Sequence, residues 1–169
     1  MSNPIASFLD ELARRGSWVG GGSVAALSAS LASALLEKVV VQPAVVGRLR
    51  RIRRRCVRLI AQDAETFARV IRASRSRDRA AFRRALKTAT EVPCQVFAHA
   101  QRLQGVCRAV QRSVKPRFQS DLRCAMAMAL AAAESARTLI ETNLAWLDDA
   151  RYTKRTHRRL QMAARANGR

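Results

Sequence analysis

Apolar residues along the chain recur at spacings of three and four, and no stretch alternates for long enough to read as a strand. Ile5, Phe8, Leu9 and Leu12 form the first such stripe. It follows Asn3-Pro4, a capping side chain and a proline in the first turn, and Gly16 is expected to end the helix. A second helix is predicted from Ser23, in "SVAALSASLASALLEKVV", which carries no charge before Glu37. A helix that is small and apolar all round packs against neighbours on most sides, so this one is predicted to be central. Its apolar run, Ser23 to Leu36, is too short and too rich in serine and alanine to read as a membrane span.

Pro43 opens a third helix, whose seam runs through Val45, Leu49, Ile52, Cys56, Leu59, Phe67 and Val70. A fourth covers Arg79 to Glu91, and Pro93 is expected to kink it or to separate it from the segment marked by Val96, Phe97, Leu103 and Val110. In "KPRFQSDL", Ser120 is read as an N-cap and Asp121 as a first-turn complement to the helix dipole. Leu122, Met126, Ala129, Ala133, Ala136, Ile140 and Leu147 then share one face with Asn143. From Arg151 the chain is basic and polar, expected to be weakly helical and frayed at "RANGR". The whole pattern predicts an all-α protein, a single-domain up-and-down bundle of about five to seven helices with no β-sheet. That domain covers residues 1–169, with 151–169 as a basic tail.

Composition agrees, since alanine, leucine and arginine dominate and only seven glycines and four prolines interrupt the chain. Charge adds something new: 32 basic against 12 acidic residues give a formal +20. Such an excess attracts polyanions, whether nucleic acid, an acidic surface or a ligand with several carboxylates. In the run "RLRRIRRRCVR", however, Ile52, Cys56 and Leu59 recur as the apolar side of a helix, which makes the arginines its solvated face. Few aromatics interleave with them for base stacking, so nucleic acid is an unfavoured partner. Cys56, Cys94, Cys107 and Cys124 are scattered without metal-ligand spacing, and no metal or disulfide frame is expected. The amphipathic start does not resemble a signal peptide, and no membrane partner is expected; the reading is a cytoplasmic protein.

Asp63 is out of place. It stands four residues after Leu59 and four before Phe67, on the seam of the third helix. A carboxylate there loses hydration, at a cost of several kcal/mol unless it is paired or protonated. Two readings follow: an internal ion pair with an arginine, or a general acid/base or anchor for a cationic ligand. Gly20, Gly21 and Gly22 fit neither a dinucleotide fingerprint nor a P-loop. They permit close approach of a ligand or another backbone, and Ser23 is expected to cap the helix that follows. His99, within an apolar helix, and His157, in the basic tail, carry no nucleophile motif.

In order, "GGGSVAALSASLASALLEKVV", "LIAQDAETFARVIRA", "ALKTATEVP" and "SDLRCAMAMALAAAESARTLIETNLAWLDD" resemble the cyclodeaminase/cyclohydrolase family of folate enzymes. The resemblance implies an all-helical homodimer with a folate site at the glycine loop. It implies a tetrahydrofolate derivative as substrate and no bound cofactor. The implied chemistry is cyclisation of 5-formiminotetrahydrofolate with loss of ammonia, or hydrolysis of the 5,10-methenyl form to 10-formyltetrahydrofolate. Asp63 falls on the family's catalytic aspartate. Gly20, Gly21, Gly22 and Ser23 fall on its glycine-serine loop, and Ser120, Asp121 and Asn143 on later polar positions that the resemblance places at the substrate. The chain departs from the family in having Trp18-Val19 before the glycines, Lys38 in place of a methionine, and "KPRFQSDL" in place of a glycine-asparagine pair before Ser-Asp. A non-catalytic dimer using the same cleft is the competing reading.

Overall fold

Asn3 starts α1 (Pro4–Ala13) as expected, its side-chain oxygen accepting the Ile5 N–H at 2.9 Å. The computed structural model describes residues 3–76 and 78–166, and within them the regular structure is helical throughout. α1 is followed by α2 (Gly21–Val39), α3 (Pro43–Arg75), α4 (Arg79–Val110), a short 3-10 turn (Pro116–Phe118), α5 (Gln119–Leu147) and α6 (Ala150–Arg165). The connections after α2 and α3 are too short for anything but antiparallel neighbours. Helices α2 to α5 accordingly form an up-and-down bundle in which each packs on the next and α5 closes against α2.

The predicted central helix is central. α2 touches α3, α4 and α5, because its buried side chains are small: Ala25, Ala26, Ala29, Ala32, Ser30 and Ser33. Their size lets backbones approach, and hydroxyls then brace the contacts. Ser33 donates to the Leu49 carbonyl at 2.8 Å and Ser28 to that of Met128 at 2.9 Å. By length and composition α2 is the one described helix that would cross a membrane, and here most of it is buried in the bundle. Larger side chains fill the rest of the core, among them Leu36, Leu49, Leu59, Leu86, Phe97 and Ile140.

Three expectations need correction. Pro93 neither ends nor splits α4, which runs unbroken from Arg79 to Val110. It removes one N–H from the ladder, but its neighbours on α3 and α5 hold the segment in place. The segment from Arg151 is no loose tail: α6 packs on α4 and buries Tyr152 and Thr156, with Asp149 accepting the Tyr152 N–H at 3.0 Å as its cap. Arginines interleave with the stripe Tyr152, Thr156, Leu160, and ion pairs tie the start and middle of α6 to α4. Arg159 forks onto Glu91 at 2.8 and 2.9 Å, while Arg83 and Lys87 reach Asp149. The last three residues of "RANGR" lie outside the described residues. Neither Ser23 nor Ser120 is an N-cap: α2 starts two residues before Ser23, and α5 starts at Gln119. Of the α1 stripe, Phe8 and Leu12 are half-buried while Ile5 and Leu9 are exposed.

Candidate functional site

At the start of α2 the backbone leaves N–H groups that no side chain of its own segment satisfies, since Gly20 is the cap residue and has none. α3 supplies what is missing. The Asp63 carboxylate takes hydrogen bonds from the hydroxyl of Ser23, at 3.1 Å, and from its backbone N–H. The aspartate is thus a cap donated by a neighbouring helix, placed at the positive end of the α2 dipole. Ser23 is fully buried, and its hydroxyl also lies 3.1 Å from the Ile60 carbonyl, so one proton serves two acceptors. Gly22 makes the arrangement possible. A Cβ there would collide with the carboxylate, so only glycine lets Asp63 lie across the first turn.

The ion-pair reading of Asp63 does not hold among the described residues: its partner is Ser23, and no arginine bridges to it. Burial therefore dominates, and the carboxyl is pushed above the usual aspartate range despite the opposing bonds from Ser23. Such a group holds and releases a proton nearer neutrality than an exposed aspartate does.

Asp63 borders a cleft of about 200 Å³ between α2, α3, α4 and α5. Its walls are apolar and aromatic: Trp18 and Phe67 meet edge to face at 6.3 Å, with Trp146 and Leu139 contributed by α5. Asp63 is the single charged side chain in the lining. Thr66, Thr142 and Asn143 add uncharged polar groups, and Gly20, Gly21 and Gly22 form the rim. Pro93 and Ala89 line the same cleft. Pro93 lacks the N–H that would bond the Ala89 carbonyl four residues back, so the helix ladder lacks one bond beside the cleft. The arrangement suits a flat ligand with a positive or proton-bearing centre near Asp63.

Of the residues singled out from sequence, the fold thus brings together Gly20, Gly21, Gly22, Ser23, Asp63 and Asn143. Ser120 and Asp121 stand apart. They sit at the beginning of α5, beside the end of α2, where Asp121 pairs with Lys38 at 2.8 Å. Ser23 and Lys38 are fifteen residues apart on one helix, a separation of roughly 22 Å. Lys38, the departure noted above, is what occupies Asp121. Sequence reasoning missed Trp18, Trp146 and Pro93. The signal for the first two was available: Leu139, Asn143 and Trp146 fall on one face of α5, and Trp18 lies next to the glycines.

Comparison with protein families matches residues 4–162 to formiminotransferase-cyclodeaminase. The chain belongs to this family. Among solved structures it resembles formiminotetrahydrofolate cyclodeaminase from Thermotoga maritima, with a TM-score of 0.85 and 23% identity. The match covers 98% of this chain and 89% of that one, so the two share the cyclodeaminase fold over nearly their whole lengths. No curated protein matches the chain.

Proposed function

We propose that the chain is a folate one-carbon enzyme working at the Asp63 cleft. It cyclises 5-formiminotetrahydrofolate to the 5,10-methenyl form with release of ammonia, or hydrolyses the methenyl form to 10-formyltetrahydrofolate. One observation carries the reading: a partly desolvated carboxylate is the single charge in an otherwise apolar, aromatic-walled cleft. Both substrates bring to such a site a planar ring and a one-carbon unit that carries positive charge. In a cleft of low polarity the charge pair is worth more than in water.

The steps balance with one carboxyl group. In cyclisation N10 of the folate attacks the formimino carbon, and Asp63 accepts the proton that N10 loses. It returns that proton to the amino nitrogen, the carbon–nitrogen bond breaks, and ammonia leaves. The methenyl cation then faces an ionised carboxylate. In hydrolysis Asp63 takes a proton from water as the oxygen attacks the methenyl carbon, then delivers it to N5 as that bond breaks. The hydroxyl proton goes to solvent, and the formyl group stays on N10. A carboxyl whose pKa is raised toward neutrality serves in both directions. Trp18, Phe67 and Trp146 stack on the pterin in this proposal, while Asn143 takes its polar edge. Gly20, Gly21 and Gly22 leave the backbone open to it. Ser120 and Asp121 lie near the other end of α2 from this cleft.

The enzyme is proposed to act as a homodimer. Val24 and Leu31 of α2, Leu130 of α5, and Ile5 and Leu9 of α1 are all exposed. A core helix and an amphipathic helix that show apolar side chains to water are covered in an assembly. Purified chain incubated with each folate, with methenyl absorbance and ammonia followed together, tests the proposal. Turnover of at least one is expected; inertness toward both overturns it.

A further inference from the structure

The arginines of α3 divide into two sets. Arg50 and Arg53 are matched by Glu37 of α2, at 3.7 and 2.7 Å. On the opposite side, Arg48, Arg51, Arg54, Arg55 and Arg58 join Arg102 of α4 around a cleft of about 820 Å³. Arg55 bonds Gln95, at 2.6 and 3.1 Å. The other five have no carboxylate partner among the described residues. From Arg48 to Arg58 the row extends ten residues, about 15 Å of helix.

This is unlike a merely solvated face in three respects. The surface is concave, with Ala166 at the end of α6 on its edge. His99 lines it as well, and burial first, then Arg102 and Arg55, hold that imidazole down to about 4. Its Nδ1 is enclosed and has no hydrogen-bond partner. Third, the cleft continues into a shelf of about 300 Å³ that shares Arg48, Ile52 and Arg102 and is floored by Leu49, Val106 and Ala109. Like charges held this close repel one another until a counter-anion is present.

We propose that this cleft binds an organic di- or triphosphate, with the phosphates forked by the arginines and the rest of the molecule on the apolar shelf. Guanidinium groups match phosphate oxygens two at a time, and a compact multiply charged group fits four unpaired guanidiniums along about 15 Å of α3 with Arg102 of α4 in the same lining. An extended nucleic acid is a poorer fit, because the cleft lacks aromatic side chains for stacking. The site lies away from Asp63 and does not depend on the folate reading.

Calorimetric titration of the whole chain at low salt tests it, with ATP, inorganic tripolyphosphate, pentaglutamate and a short DNA duplex as probes. One-to-one binding of ATP is expected, tighter than that of tripolyphosphate. Arg51→Gln with Arg102→Gln should weaken ATP about tenfold or more, since each removes a charged hydrogen-bonding group. Arg84→Gln with Arg151→Gln, which removes equal charge at the far end of α4, should leave binding unchanged. Ala109→Phe, at an exposed shelf position, should weaken ATP while sparing tripolyphosphate, and circular dichroism confirms that each variant keeps its helix content. Absence of ATP binding, equal losses in the two double variants, or tighter binding of pentaglutamate or duplex overturns the proposal.

Discussion

Replacing Gly22 by alanine separates helix propensity from site architecture. In an ordinary helix the change stabilises by about 0.5–1 kcal/mol. Gly22 is different, because the added Cβ would overlap the carboxyl carbon and both oxygens of Asp63. α2 fixes one partner and α3 the other, so relief must come from swinging the carboxylate away from Ser23. That gives up the 3.1 Å bond from the Ser23 hydroxyl. Hydrogen bonds to a charged group contribute about 1.5–3 kcal/mol. Setting this against the propensity gain leaves a net loss of about 1–2 kcal/mol. In a chain of this size that lowers the melting temperature by roughly 2–8 °C. Gly20→Ala is the control: nothing lies within 4 Å of its Cβ position, and stability should stay within about 0.5 kcal/mol. Thermal and denaturant unfolding of both variants, with NMR titration of the Asp63 carboxyl, makes the comparison. A Gly22→Ala protein as stable as wild type, with Asp63 titrating unchanged, would refute the packing of glycine against carboxylate.

Three further outcomes follow from the same geometry. Because the folded-state pKa of Asp63 is raised, the protonated form is favoured by folding. The associated stability is therefore full below the ordinary aspartate value and is lost as pH rises through the raised one. Asp63→Asn should match wild type in acid and exceed it at neutral pH, as read by urea unfolding across that window. Ser23→Ala removes the hydroxyl shared by Asp63 and Ile60; it should raise the Asp63 pKa further and cost about 1–2 kcal/mol, seen by NMR titration and denaturation. Leu31→Glu, on the exposed side of α2, should turn the proposed dimer into a folded monomer in sedimentation experiments.

The fold was legible where local signals and burial agree. Asn3-Pro4 and Pro43 marked helix starts, and the small apolar run of α2 foretold its central place. Pro93 misled because a local rule was overridden by packing: neighbours on both sides of α4 hold a helix that a peptide would break. α6 misled in the opposite way, since its apolar stripe is thin and Arg159 finds its acidic partner, Glu91, only in the folded chain. At the site, Asp63 stood out as a charge on an apolar seam, but its bond to Ser23 joins residues forty apart and has no local trace. Asp121, which only the family resemblance linked to the substrate, is paired with Lys38 near the other end of α2.

The most direct test pairs binding with turnover in Asp63→Asn. The amide keeps the size of the side chain and can still accept from Ser23, so the pterin walls stay in place. Folate affinity within a few-fold of wild type, together with loss of nearly all formimino and methenyl turnover, is the expected result. Turnover that survives the substitution would contradict the role given to this carboxylate.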